Sequence, residues 1–134
     1  MSEENVEIVR DHYAATNERD FPRAMSYYAE DVELFVHPDA FTHRGTFSGR
    51  EAVGGWFGDW FKTFEPGYHF DLEEMRDLGD VVFLNASHHG RGRTSGVEVG
   101  GETGYLYTVR ACKIVRVEIY PSPAAALEAA GLEE

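Results

Sequence analysis

The chain has 134 residues, about the size of one ordinary domain, and its 43% hydrophobic and 27% charged residues mark it as globular rather than disordered. The 24 Asp and Glu outnumber the 12 Lys and Arg to give a net charge of −12. That argues against a nucleic-acid binder, which needs a net basic face to displace counterions, and against attraction to an anionic membrane.

The single cysteine, Cys112, cannot close an internal disulfide, so a stapled scaffold is excluded. No apolar run approaches the roughly 20 residues that a bilayer requires. The opening MSEENVEIVRDHY is acidic and lacks an apolar signal core, so the expectation is a cytoplasmic, single-domain protein without repeats or long linkers.

Residues 3–19 predict a helix capped by Ser2, with Glu3, Glu4 and Glu7 at the positive end of its dipole. Val6, Val9, Tyr13 and Thr16 form its apolar stripe. Residues 21–30 predict a second helix, with Asp20 as cap, Pro22 in the first turn, and Phe21, Ala24, Met25 and Tyr28 on one face. Residues 31–37 predict a strand ended by His37-Pro38-Asp39. Residues 42–48 predict a loop with a short strand around Thr46 and Phe47, and residues 51–64 a third helix. Its Val53, Trp56, Phe57, Trp60, Phe61 and Phe64 fall on one broad face, and Pro66-Gly67 stops it.

From there to Tyr120 the chain predicts four long strands, over 68–77, 81–92, 97–110 and 113–120. The last two are joined tightly at Ala111-Cys112. Ser122 caps and Pro123 starts a final helix that Gly131 ends. Helices mostly first and strands last is the α+β pattern. The expected architecture is a cone: a curved antiparallel or mixed sheet wrapped around three N-terminal helices, with a short C-terminal helix and a pocket at the wide end.

Charge is unevenly spread along this order. Asp71, Glu73, Glu74, Asp77 and Asp80 crowd 71–80, whereas 81–97 hold no acid but contain Arg91 and Arg93. Arg110, Lys113 and Arg116 follow. This basic zone reads either as a solvated or subunit-facing sheet surface or as a means of capturing an anionic small molecule.

The run ENVEIVRDHYAATNERDFPRAMSYYAEDVEL resembles the opening of the SnoaL-like polyketide cyclase family, in the nuclear-transport-factor-two-like superfamily. TFSGREAV, GRGRTSGVEV, KIVRVEIY and ALEAAGL are similar to later pieces of it in the same order, so the resemblance spans nearly the whole chain. It implies an α+β cone, commonly a dimer through the outer sheet face, here with Leu106, Thr108 and Arg116. Its members include ketosteroid isomerases, scytalone dehydratase, limonene epoxide hydrolase and polyketide cyclases, so fold alone does not give the reaction. Ala111-Cys112-Lys113 departs from the family's usual Asp-Gly-Lys turn. Without the glycine, a strained or different turn with Cys112 near the surface is expected.

The resemblance implies proton-transfer chemistry: a base working near neutral pH and a donor aimed at a developing oxyanion. Of six histidines, His37 stands near the isomerases' catalytic aspartate, before Pro38, if one residue of offset is allowed. Without the offset Val36 takes that place. Strict alternation also turns His37 outward unless a bulge intervenes. His88 shares the parity of Val82, Leu84 and Ala86, and is either a hydrogen-bonded core residue or a pocket base. His89 and Arg91 then face outward.

His12 lies near the isomerases' oxyanion tyrosine, beside Tyr13, which the apolar stripe favours as the residue facing the cavity. Tyr105 stands where isomerases carry a protonated acid, and Tyr107 shares its face. Trp56, Trp60 and Phe64 are expected along the helix side of the pocket. The catalytic candidates are therefore His37, His88, Tyr13 and Tyr105, and the ligand-binding candidates Trp56, Trp60, Phe64, Tyr107 and His12.

His37, Asp39 and His43 are a weak metal alternative. With no HExxH, HxH or cysteine pair, no metal and no cofactor are expected. The expected function is binding of a small apolar oxygenated molecule, with isomerase, dehydratase or cyclase chemistry or with none. A domain that serves dimerisation alone is the remaining alternative.

Overall fold

The structure is a computed structural model, and it describes residues 2–40 and 45–132. The capping role expected of Ser2 and the metal role weighed for His43 lie outside the described side chains. The elements are α1 (Ser2–Asn17), α2 (Phe21–Met25), β1 (Tyr28–Val36), β2 (Gly45–Ser48), α3 (Arg50–Lys62), β3 (His69–Asp77), β4 (Val81–Arg91), β5 (Glu98–Arg110), β6 (Lys113–Tyr120) and α4 (Pro123–Ala129). No helix among the described residues is long and apolar enough to cross a membrane.

The strands form one six-stranded sheet in the order β2-β1-β6-β5-β4-β3. β1 runs parallel to β6, and every other neighbouring pair is antiparallel. Register shifts at Leu72/Glu74 in β3 and at Thr108/Val109 in β5 add local twist, which helps the sheet to curl. The α+β cone is thus present as a curved mixed sheet that does not close.

Two elements differ from the sequence reading. α2 is a single short turn, and Tyr28 opens β1 instead of closing the helix. Its cross-strand partner is Ile114 of β6. Tertiary pairing here overrides a helical spacing that a β-favouring tyrosine satisfied only by coincidence. α3 ends at Lys62, and Phe64 forms an isolated bridge to Gly92.

Alternation along the strands builds two apolar layers. On the concave face Val32, Leu34, Val36, Leu84, Tyr105, Tyr107, Val117 and Ile119 meet the helices. There α1 packs over β3 and β4, and α3 over β1 and β2. Leu34, Leu84, Ile114 and Ile119 are fully buried, and each such side chain contributes about 1.5–3 kcal/mol relative to exposure.

On the convex face Phe83, Leu106 and Tyr120 are covered by Ala126 and Leu127 of α4. The close approach of α4 depends on Gly104, where a Cβ would stand 2.5 Å from the Ser122 carbonyl oxygen and 2.7 Å from the Ala126 Cβ. Leu106, expected at a subunit interface, is therefore buried under the chain's own C-terminal helix.

The β5–β6 turn takes the strained form expected from the missing glycine. Ala111 and Cys112 both have positive φ, 50° and 63°, and Cys112 is exposed. A two-residue hairpin with both central residues left-handed is a type I′ turn, which favours Asn-Gly. The double change Ala111→Asn, Cys112→Gly is expected to stabilise the fold by about 1–2 kcal/mol, read as a higher urea midpoint at unchanged m-value. An unchanged or lower midpoint would show that the turn is not strained.

Candidate functional site

A cavity of about 190 Å³ lies between α1, α2, α3 and the concave sheet. α1 contributes His12, Tyr13 and Thr16, α2 contributes Phe21, Ala24 and Met25, β1 contributes Tyr28 and β3 contributes Phe70. From α3 come Gly54, Phe57, Gly58 and Phe61, spaced i, i+3, i+4, i+7 along one stripe.

Polar hooks hold the α1 wall in place. Asn17 donates through Nδ2 to the Phe70 carbonyl and accepts from the Phe70 N–H, both at 2.9 Å, as a strand edge would. Arg19 reaches the Tyr68 carbonyl and lies over the Phe61 ring.

His12 sits at the centre of the polar lining. Its Nδ1 is 3.1 Å from the Ala24 carbonyl, and its Nε2 is 3.0 Å from the Tyr28 hydroxyl. A carbonyl only accepts, so Nδ1 carries the ring hydrogen and Nε2 accepts from Tyr28. Burial lowers the His12 pKa to about 4, opposed in part by the Ala24 bond. The ring is thus neutral at pH 7, with both nitrogens engaged.

Beside it the Tyr13 and Tyr107 hydroxyls are 2.5 Å apart. Tyr105 packs beside them, its ring centroid 6.1 Å from that of Tyr13 and 6.2 Å from that of Tyr107. Burial pushes the Tyr13, Tyr28, Tyr105 and Tyr107 hydroxyls well above the ordinary phenol range. They are neutral phenols, able to donate or accept hydrogen bonds but not to act as bases.

A second constellation occupies the flank of the concave face. Trp60 donates through Nε1 to the Tyr68 hydroxyl at 2.8 Å, and that hydroxyl meets His88 Nδ1 at 3.0 Å. Phe64 stacks on Tyr68 with ring centroids 4.2 Å apart. His88 is half-buried, and its pKa is lowered first by burial and then by His89.

The sequence-predicted residues are distributed as follows. His12 and Tyr13 both line the cavity, where the apolar stripe favoured only Tyr13. Tyr107 meets the Tyr13 hydroxyl, and Tyr105 packs beside both rings. His88 faces inward as its parity required, beside Tyr68 rather than in the cavity wall. Trp56 and Trp60 belong to the neighbouring stripe of α3, one residue out of phase with the stripe that faces the cavity, and Phe64 lies beyond the helix against Trp60 and Tyr68.

His37 is placed away from the cavity. No bulge precedes Pro38, since the irregularity in β1 falls between Tyr28 and Glu33. Val36 is therefore buried inside, while the His37 ring lies on the convex side, 5.8 Å from Tyr120. Its Nδ1 accepts from the Asp39 N–H at 3.0 Å. A pocket base at His37 is not supported by this placement.

Most of the basic zone is likewise spent on structure. Arg91 pairs with Glu98, Arg116 with Glu33 and Glu118, Arg93 donates to the Lys62 and Phe64 carbonyls, and Lys113 donates to the Ser26 carbonyl. Among the described residues no Lys or Arg lines the cavity, so its electrostatic character is neutral rather than basic. His89 and Asp71 meet at 3.3 Å on the convex face, with His69 stacked beside them.

Sequence reasoning missed Tyr28, Thr16, Phe57, Phe61, Phe70 and Tyr68 as site residues. A usable signal was present in the three glycines inside α3, REAVGGWFGDWFK. Each costs a helix about 1 kcal/mol relative to alanine, and Gly54 and Gly58 both border the cavity.

The His12 arrangement has a pH consequence. Its folded pKa of about 4 lies below the unfolded value of 6.5, so the unfolded chain binds the proton more readily. Its contribution to stability is complete above pH 6.5 and is lost as pH falls towards 4, by up to about 3 kcal/mol. Urea unfolding of the wild type and of His12→Gln from pH 7 to pH 4.5 is expected to show a steeper loss in the wild type. Parallel curves would mean that His12 is not held neutral.

The family model for the SnoaL-like domain matches residues 9–118. No curated protein matches the sequence. Among solved structures, an NTF2-like protein from Burkholderia thailandensis is similar at 28% identity and TM-score 0.76, over 85% of this chain and 87% of that one. A protein with a ketosteroid isomerase-like fold from Catenulispora acidiphila, in complex with trimethylamine, is similar at 23% identity and TM-score 0.74, over 94% and 93%. TerC, co-crystallised with polyporic acid, is similar at 21% identity and TM-score 0.76, over 93% and 96%. These likenesses support the fold, and the family match over most of the sequence means that the chain belongs to the SnoaL-like domain family.

Proposed function

We propose that this domain binds a small apolar, oxygen-bearing molecule in the cavity between α1, α2, α3 and the sheet. The observation that carries this reading is the space kept in front of α3. A Cβ at Gly58 would meet nothing within 4 Å, so alanine would fit there and favour the helix, yet glycine stands in its place. A dry apolar cavity of about 150 Å³ accepts a benzene-sized guest, and this one, at about 190 Å³, is slightly larger. Ligand complexes of TerC and of the Catenulispora protein give the reading company without identifying the ligand here.

A thermal-shift screen of monocyclic aromatics is expected to raise the Tm of the wild type. Gly58→Leu, which projects a side chain into the space, is expected to match or exceed the unliganded wild-type Tm and to lose the ligand-induced rise. A ligand response that survives Gly58→Leu would place binding elsewhere.

A second reading adds turnover by isomerisation, dehydration or ring closure. It is favoured by His88, which is half-buried, neutral near pH 7 and hydrogen-bonded to Tyr68, with Tyr13 or Tyr105 as donor to substrate oxygen. Any molecule that binds is then followed for conversion by wild type and by His88→Ala. Conversion by the wild type that falls at least 100-fold in the variant supports catalysis, whereas binding without conversion supports a carrier.

The domain is also expected to pair with a second copy through the part of the convex face beside α4. Thr108 and Arg116 are cross-strand partners there, and Arg116 is bonded to Glu33. Sedimentation is expected to give a dimer at micromolar concentration and a monomer for Thr108→Arg. A wild-type monomer would rule this pairing out.

A further inference from the structure

Among the polar groups that line the cavity, Thr16, His12 and Tyr28 share one property: each has already given its hydrogen to the protein. Thr16 donates through Oγ1 to the His12 carbonyl at 2.9 Å. The His12 Nδ1–H goes to the Ala24 carbonyl, and the Tyr28 hydroxyl hydrogen goes to His12 Nε2. Tyr13 shares a hydrogen bond with the Tyr107 hydroxyl, and either oxygen can be its donor.

The hydroxyl oxygens of Thr16, Tyr28 and Tyr13 still have lone pairs. Reversing the Tyr28–His12 bond would require the other imidazole tautomer. That tautomer would set the Nδ1 lone pair against the Ala24 carbonyl oxygen, two acceptors at 3.1 Å. Around His12, Thr16 and Tyr28 the wall therefore accepts and does not donate.

We infer that the cavity selects a neutral ligand that donates a hydrogen bond, an alcohol or phenol on a single ring, over the ketone of the same shape. The inference rests on the binding reading above and names the ligand class for that site. An alcohol keeps a partner for its hydrogen when it leaves water. Against these three groups a ketone oxygen meets only lone pairs and loses the hydrogen bonds that water gave it, which costs about tenfold or more in affinity. A carboxylate or phenolate is disfavoured further, because among the described residues no cationic side chain lines the cavity.

The test uses three molecules of nearly one shape, ethylbenzene, 1-phenylethanol and acetophenone, with affinities measured by calorimetry or by NMR titration. The alcohol is expected to bind at least tenfold more tightly than the ketone. His12→Phe frees the Tyr28 hydroxyl hydrogen and is expected to narrow that ratio by improving the ketone. Because this variant alters a buried residue, the ¹⁵N shifts of His12 in the wild type provide a separate check, expected to report a hydrogen on Nδ1 and none on Nε2. If none of the three molecules binds, the cavity-binding reading fails. If they bind but the ketone equals the alcohol, or if His12 carries its hydrogen on Nε2, the donor selectivity fails alone.

Discussion

Five ionisable rings, those of His12, Tyr13, Tyr28, Tyr105 and Tyr107, are buried side by side without a counter-charge. In a low-dielectric interior none of them ionises readily near neutrality, and each unpaired donor or acceptor would cost about 1–3 kcal/mol. That constraint forces them to satisfy one another or the backbone. Their bonds tie α1 to α2 through Ala24, to β1 through Tyr28 and to β5 through Tyr107. The orientation of α1 over the sheet, and with it the position of the cavity wall, follows from these pairings as much as from apolar burial.

The curved sheet separates two kinds of surface. Its concave face needs a filling, and two helices laid over opposite edges, α1 on β3 and β4 and α3 on β1 and β2, leave a gap between them. The glycines of α3 preserve that gap, while the hydroxyls of α1 and β1 furnish its polar side. The convex face is closed by α4 where Gly104 permits contact. Elsewhere it carries ion pairs such as Arg116–Glu33. Arg91, Arg93 and Arg116 are therefore bound to carboxylates or carbonyls, and they do not charge the site.

Most of the order of elements was legible from periodicity. Val32, Leu34 and Val36 alternate, as do Tyr105, Tyr107 and Val109, and these patterns gave both the strands and the face that each residue takes. His88 inside and His89 outside followed from the same parity. The failures have a common cause. Tyr28 fits a helical spacing from Phe21, yet it pairs with Ile114, more than 80 residues away in sequence. α3 is apolar around so much of its girth that its composition did not say which stripe faces the gap, and Phe57 and Phe61 take the place expected for Trp56 and Trp60. His37 required a bulge that β1 places elsewhere.

By itself the amino-acid sequence determined the α+β class, the strand faces, the strained Ala111-Cys112 turn and the resemblance to the SnoaL-like family. These depend on short-range periodicity and on local backbone preference, and both are written within a few neighbouring residues. Tertiary structure alone decided that His12 is locked between Ala24 and Tyr28, that Tyr13 meets Tyr107 across 94 positions of sequence, and that Leu106 lies under α4. Those are hydrogen bonds and contacts between distant segments, and their partners are chosen by how a curled sheet brings helices together rather than by any spacing along the chain.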